Sequence, residues 1–133
     1  MKEKESLFGL GKPNDAFAQY FVGQSYLNPR ASNQGVGVAN VTFEPGCRNN
    51  WHIHHKKAQI LLVTDGRGYY QEWGKEAIEL HPGDVVNIPS EVKHWHGAAK
   101  DSWFAHVAIE VPAEGASNEW CEPVSDEDYD KLK

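Results

Sequence analysis

The stretch GCRNNWHIHHKKAQILLVTDG, residues 46–66, decides the fold, because it sets two histidines and a glutamine at defined distances between two glycines. His52 and His54 are two residues apart, so on an extended segment both side chains leave the same face. Gln59 opens the next apolar run, and a turn after His54 would bring its amide oxygen beside both imidazoles. This spacing predicts a metal site whose third imidazole comes from elsewhere in the chain.

Short apolar runs separated by turn residues surround this stretch. Strands are expected at residues 35–43, 58–64, 68–73, 77–80, 84–88, 93–98 and 103–111. The segments between them are rich in Pro, Gly and Asp, which turn or end a strand, and no helical periodicity interrupts the block. The pattern is typical of an all-β sandwich or barrel.

The two ends of the chain lie outside this block. Asn14 and Asp15 are placed to cap a short helix over residues 16–20, and residues 20–27 read as an early strand. Ser125, followed by three acidic residues, is placed to cap a final helix through Leu132. We expect one domain, residues 1–133, with a barrel core at about residues 35–111.

A second motif follows the first. Residues 82–89 read PGDVVNIP, and His94 comes five residues later. Together the two motifs resemble those of the cupin superfamily, except that Gln59 stands where the family usually has a glutamate. The resemblance implies a double-stranded β-helix, the cupin jelly-roll barrel, with a short C-terminal helix. It also implies that His52, His54, Gln59 and His94 hold one divalent transition metal.

This ligand set would be uncharged, since neutral imidazoles and an amide bring no negative charge. The ion therefore keeps its full charge, acts as a stronger Lewis acid and favours anionic ligands. Nitrogen and oxygen ligands with open positions suit several metals. The resemblance favours Mn²⁺, with Fe²⁺, Zn²⁺, Ni²⁺ and Co²⁺ as alternatives.

Two further histidines are candidates for acid and base catalysis. His96 lies two residues beyond His94 and should face the same side. His106 shares a strand face with Phe104 and Glu110, and a histidine in an apolar barrel is costly without a partner. A neutral histidine beside a metal can take up and return a proton. The alternative for both is a hydrogen-bonded core histidine.

The wall of a substrate pocket is expected beside these histidines. Asn40 and Thr42 share a strand face that becomes polar towards the first motif, so they are expected to line the cavity with Phe104 and Glu110. The alternative is that they are polar residues at a fraying strand end. Lys56 and Lys57 follow the His-x-His motif and predict a cationic rim.

The histidines extend the resemblance to bacterial cupins that act as hydroxynitrile lyases, which cleave cyanohydrins to an aldehyde and cyanide. By position, His106 would be the leading base and His96 would assist. The pattern is also similar to cupins labelled carboxymuconolactone decarboxylase. The alternatives to a lyase are a non-catalytic cupin that binds a small molecule and a metal-dependent dioxygenase.

The composition limits the partners. The formal net charge is −6 and no Lys/Arg-rich block is present, which argues against nucleic acid or an anionic membrane and favours a small-molecule ligand. No apolar run resembles a signal peptide or a membrane span, so a cytoplasmic location is expected. Cys47 and Cys121 are expected to be free thiols. A homodimer is expected, with residues 20–27 as a candidate contact.

Overall fold

A computed structural model describes residues 6–111 and 113–132. Within these ranges the chain forms strands, one 3₁₀ turn at Ala18–Tyr20 and one short α-helix. The strands are β1 (Lys12–Pro13), β2 (Phe21–Val22), β3 (Ser25–Asn33), β4 (Val36–Phe43), β5 (Arg48–Asn49), β6 (His52–His55), β7 (Ala58–Gly66), β8 (Gly68–Glu72), β9 (Ile78–Leu80), β10 (Val85–Ile88), β11 (His94–Ala98), β12 (Phe104–Val111) and β13 (Ser117–Trp120); the helix is α1 (Asp126–Asp130). No helix in the described ranges is long and apolar enough to cross a membrane.

The strands form two antiparallel sheets. The first has the order β1-β3-β4-β12-β7-β10. In the second, β11 is central: it pairs with β8 on one side and with β5 and β6 on the other, while β13, β2 and β9 extend the sheet. A buried apolar cluster that includes Phe43, Leu61, Ile88 and Phe104 fills the interior. The mostly antiparallel two-sheet arrangement is a jelly roll, as expected from the sequence.

The glycine that ends the first motif is required by a close backbone approach. Gly66 has φ of +75°, and a Cβ atom at this position would lie 1.8 Å from the carbonyl oxygen of Trp103. Only glycine tolerates both the left-handed backbone and this contact. The contact joins the end of β7 to the start of β12, at Phe104. It thereby helps to position these two strands against each other.

Every strand expected between residues 35 and 111 is present, with ends that differ by two residues at most. The expected strand at residues 20–27 is instead divided between β2 and β3, which lie in different sheets. The physical reason is Gly23, whose φ of +89° turns the chain. The expected helix at residues 16–20 is reduced to the 3₁₀ turn.

The C-terminal helix α1 begins as expected, with the Ser125 side chain accepting a hydrogen bond from the Asp128 N–H. Its anchor is Arg48, which is 4% exposed. The guanidinium donates to the Val124 carbonyl (2.9 Å) and to Asp126 (2.6 Å), and lies 4.1 Å from the ring centroid of Tyr129. A five-residue helix is too short to be stable alone, so these contacts hold it against the barrel.

Replacing Arg48 by methionine is expected to lower the free energy of unfolding by about 2 kcal/mol, because the Val124 carbonyl loses its donor and Tyr129 loses its cation. Urea unfolding would measure this loss. The matched variant Asp126→Asn should cost less than about 1 kcal/mol, since the Asp126 carboxylate is 85% exposed. Equal losses in the two variants would show that the ion pair, and not the buried guanidinium, anchors the helix.

Candidate metal centre and cavity

Three of the expected metal ligands converge inside the barrel. The alternation of β6 turns His52 and His54 inward, and the antiparallel register of β6 with β11 sets His94 directly opposite His52. The ring centroids of His52 and His94 are 4.2 Å apart. The three residues offer ring nitrogens that lie within 4.8 Å of one another, and all three side chains are buried.

Backbone carbonyls orient two of these rings. His52 Nδ1–H donates to the Asn50 carbonyl (2.8 Å), and His94 Nδ1–H donates to the Val92 carbonyl (2.9 Å). With the proton on Nδ1, the lone pair is left on Nε2, as in metal-binding histidines. His94 Nε2 is buried and has no partner within the described residues. The three rings therefore fit a divalent metal ion, which would supply the missing partner.

Burial holds this cluster in the neutral form that binds metals. It lowers the pKa of His54 to about 3, with His94 and Lys57 adding to the effect. It also lowers the pKa of His52 well below the usual range, and that of His94. Neutral imidazoles bind metal without first losing a proton, so these ligands are prepared at pH 7.

Gln59 lies on β7 in the wall of the same cavity, where it pairs in register with Glu110 of β12. Glu110 also lines the cavity, as expected, and forms an ion pair with Lys57. The cationic rim expected from Lys56 and Lys57 is therefore partly neutralised. A sequence cannot show this pairing, because it joins residues 53 positions apart.

The cavity has a volume of about 370 Å³, within the range of small-molecule sites. The metal cluster contributes His52 and His54 to its wall, and apolar side chains from β2, β3 and β4 contribute much of the remainder. These include Phe21, Ala39, Val41 and Phe43. The arrangement suits a small, largely apolar ligand that presents a polar group to the histidines.

Both candidate acid–base histidines line this cavity and contact each other, with ring centroids 4.9 Å apart. His96 is held by Asn49, whose amide oxygen accepts from the His96 backbone N–H (2.9 Å) and whose amide nitrogen donates to His96 Nε2 (3.2 Å). His106 is 1% exposed, and neither of its ring nitrogens has a hydrogen-bond partner within the described residues. His106 is thus not a hydrogen-bonded core histidine within these residues, and its unpartnered ring lies in the cavity wall.

Burial alone lowers the pKa of His106 to about 3, so the native imidazole is neutral at pH 7. In the unfolded chain a histidine titrates near 6.5, and below that pH only the unfolded state gains the proton. The stability due to neutral His106 is therefore present above pH 6.5 and is lost as the pH falls towards 3. Between pH 7 and pH 5 the metal-free wild type should lose about 2 kcal/mol more of its unfolding free energy than His106→Phe. Urea unfolding at both pH values measures this, and equal losses would contradict it.

Three residues expected in the pocket lie elsewhere. Asn40 and Thr42 point away from the cavity and are covered by the N-terminal segment. Asn40 donates to Ser6 Oγ (2.9 Å) and to the Gly9 carbonyl (2.8 Å), and the Thr42 hydroxyl lies 3.1 Å from Ser6 Oγ. The expectation was wrong because the apolar residues of β4, such as Val41, face the cavity. The polar face of β4 is covered by the N-terminal strap, the segment that contains Ser6 and Gly9.

Phe104 shares the inward face with His106 but does not reach the cavity wall. It is fully buried, its ring centroid lies 5.7 Å from that of His106, and it packs against Phe43. Phe104 therefore packs against His106 from within the apolar core. Of the other histidines, His81 is 54% exposed at the surface and pairs with Glu79, while His55 pairs with Glu91 and Glu119 outside the cavity wall.

Part of the cavity wall was not expected from the sequence. Asn49, which orients His96, has no motif of its own. Trp120 lies on β13, whose sequence Ser-Asn-Glu-Trp lacks an apolar pattern, yet β13 pairs with β6 and sets Trp120 opposite His52. The Trp120 ring stacks on Tyr20 at 4.4 Å and lies 4.8 Å from the His52 ring. Only an isolated tryptophan in the polar run Ser117–Trp120 could have signalled this part of the wall.

A comparison with protein families agrees with this fold. The model of the cupin domain matches residues 39–109, which is more than half of the chain, and the chain therefore belongs to the cupin family. A curated relative covers nearly the whole length. The chain is 43% identical to an (R)-mandelonitrile lyase of Granulicella tundricola over 115 residues, which span 84% of this chain and 87% of that protein.

Two other comparisons differ in extent. A crystal structure of a cupin-like protein from Thermotoga maritima superposes with a TM-score of 0.87 at 38% identity, covering 96% of each chain. An acireductone dioxygenase of Bacillus pumilus is 27% identical over 66 residues, which cover 47% of this chain and 38% of that protein. The first match covers the whole barrel, whereas the second covers only part of it.

Proposed function

We propose that this chain is a metal-dependent lyase that cleaves a cyanohydrin into an aldehyde and hydrogen cyanide. The observation that carries the proposal is His106, a buried histidine with both ring nitrogens unpartnered in the described residues, in the same cavity as the three-histidine cluster. The 43% identity to an (R)-mandelonitrile lyase supports the choice of substrate class.

The proposed cofactor is Mn²⁺, held by His52, His54 and His94 with Gln59 as the fourth ligand. A divalent ion held by this uncharged set would supply Lewis acidity, which makes the hydroxyl group of a bound cyanohydrin a stronger acid. The carbonyl hydrogen bonds on His52 and His94 keep the rings oriented for this role. Gln59, as an amide, leaves the positive charge undiminished.

In the proposed reaction His106 accepts the proton from the cyanohydrin hydroxyl oxygen. The C–C bond to the nitrile then breaks, its electron pair leaves with cyanide, and the oxygen forms the carbonyl of the aldehyde. His106 returns the proton to cyanide, so that hydrogen cyanide is the second product. Because burial disfavours the charged imidazolium, His106 does not retain the proton once the anion beside it can accept it.

His96 would assist from the adjacent position. Its ring lies 4.9 Å from that of His106, and burial together with the charge of a protonated His106 lowers its pKa well below the usual range. Only one of the two histidines can therefore carry a proton at a time. Asn49 holds the His96 ring, so that His96 contributes a fixed dipole to the cavity.

The experiment is a mandelonitrile cleavage assay on protein whose metal content has been measured, with and without added Mn²⁺. Manganese-dependent formation of benzaldehyde at pH 5 to 6, above the uncatalysed rate, is the expected result. The matched control is His52→Ala, which should not respond to Mn²⁺. Stoichiometric metal without benzaldehyde formation would refute the lyase proposal.

The partial similarity to acireductone dioxygenases favours a second candidate, an oxygen-dependent reaction at the same three histidines. That chemistry needs a metal that reacts with dioxygen, whereas cyanohydrin cleavage involves no redox change. Cleavage under strict anaerobiosis separates the two, because a dioxygenase would be inactive. We expect full activity without oxygen.

We also propose that the chain forms homodimers through β3. This strand pairs along its whole length with β4, while on its other side β1 covers only Tyr26 and Leu27 in the described part of the chain. A free strand edge is a site for pairing with another chain. Light scattering at micromolar concentration would test this, with a mass of one chain contradicting it.

A further inference from the structure

The mouth of the cavity carries an ion pair beside the metal centre. Glu110 lies near the end of β12 and is directly opposite Gln59 in the sheet register. Lys57, which precedes β7, places its ammonium group on the Glu110 carboxylate. The pair thus links β12 to the start of β7, two residues before the proposed fourth metal ligand Gln59.

The two members of the pair have different surroundings. The Lys57 side chain is only 12% exposed, so its ammonium has lost most of its water, whereas the Glu110 side chain is 42% exposed and lines the cavity. Removing the carboxylate would leave a mostly buried cation without a partner. Such a group attracts any anion that enters, because the local dielectric is low.

Lys57 lies close to the metal cluster in the chain. It is on the turn between β6, which carries His52 and His54, and β7, which carries Gln59. An uncharged ligand set already leaves the metal ion with its full positive charge. A second unneutralised cation at the mouth would shift the site further towards carboxylates and away from neutral ligands.

We infer that the Lys57–Glu110 pair is a specificity element: it keeps the mouth electrically neutral and thereby favours uncharged hydroxylated ligands over carboxylates of the same shape. This inference rests on the proposed function, since it concerns which hydroxylated compounds that site accepts. The role of Glu110 is to neutralise Lys57 and not to take part in proton transfer.

Calorimetric binding to Mn²⁺-loaded protein tests the inference with two probes of the same skeleton, mandelamide, which is neutral, and mandelate, which is an anion. At low ionic strength, Glu110→Gln is expected to raise the affinity for mandelate relative to mandelamide about tenfold. The double variant Lys57→Gln/Glu110→Gln should return the ratio to within about twofold of the wild type. Added salt should reduce the effect of the single variant.

A matched control is Glu79→Gln. Glu79 has the same 42% side-chain exposure as Glu110 and pairs with Arg67, but it lies on β9, outside the cavity. The ratio of mandelate to mandelamide affinity in this variant should equal that of the wild type. A similar gain in Glu79→Gln would show a general effect of net charge and overturn the inference.

Other outcomes are equally decisive. An unchanged ratio in Glu110→Gln, a gain that persists in the double variant, or failure of Glu110→Gln to bind mandelate at all would each overturn the inference. These are binding measurements, so they are independent of turnover. A tenfold change in the ratio without mandelonitrile cleavage would reject the lyase proposal and retain the specificity element.

Discussion

Replacing His106 by glutamine is expected to lower kcat for mandelonitrile cleavage by about 10²- to 10⁴-fold, the usual contribution of a positioned acid or base. Glutamine keeps the polarity of the side chain but cannot exchange a proton at pH 5 to 6. In the described structure His106 makes no hydrogen bond, so the variant breaks no structural network. Steady-state assays on metal-loaded protein measure the effect.

Two controls make this result specific. Metal content measured on the same sample should equal that of the wild type, because His106 is not one of the three clustered histidines. His81→Gln makes the same chemical change at a side chain that is 54% exposed and is not part of the cavity wall, and it should keep wild-type kcat. Turnover by His106→Gln within threefold of the wild type would assign the base to another residue.

Removing one clustered histidine is expected to have the second largest effect. Loss of a hydrogen-bond partner behind a metal ligand weakens metal binding by about 10- to 100-fold. His94→Ala deletes a ligand atom itself, so it should weaken Mn²⁺ binding by more than this. At a metal concentration of 100 times Kd, binding stabilises the wild type by about 2.7 kcal/mol, and the variant should lose this stabilisation. Thermal unfolding with and without Mn²⁺ measures the difference.

Loss of a metal ligand must be distinguished from a general loss of stability in this variant. The His94 ring is fully buried, so removing it also leaves a cavity, which lowers Tm in the absence of metal. The relevant quantity is therefore the rise in Tm on adding Mn²⁺, which should vanish in His94→Ala and persist in His81→Ala. A rise in His94→Ala equal to that of the wild type would remove His94 from the ligand set.

Local pattern was sufficient for most of the barrel. Strand alternation and turn residues predict β4 and β7 to β12, and the two-residue spacing of His52 and His54 predicts that both face inward. The capping pattern at Ser125 predicts the start of α1. These features depend on neighbours within a few residues, and such short-range geometry is determined by backbone periodicity and cap chemistry.

The inward face of β4 was not predicted correctly, because its polar face is covered as well. Asn40 and Thr42 are each 0% exposed, as expected for cavity residues, but they are buried beneath the strap that contains Ser6 and Gly9. Polarity along one strand cannot distinguish a ligand cavity from a hydrogen-bonded cover. The two cases differ in the hydrogen-bond partner of the polar side chains, and here that partner lies 31 to 36 residues away in the chain.

By itself, the sequence determined the all-β barrel and the inward pair His52 and His54, whose spacing follows from the two-residue period of a strand. His94 followed only from the resemblance to the second cupin motif, because nothing local connects it to the first. Only the tertiary structure decided that β13 brings Trp120 over His52, that Asn49 holds His96, and that Glu110 neutralises Lys57. Each of these contacts joins distant segments, because pairing across a sheet depends on register and topology and not on the local order of residues.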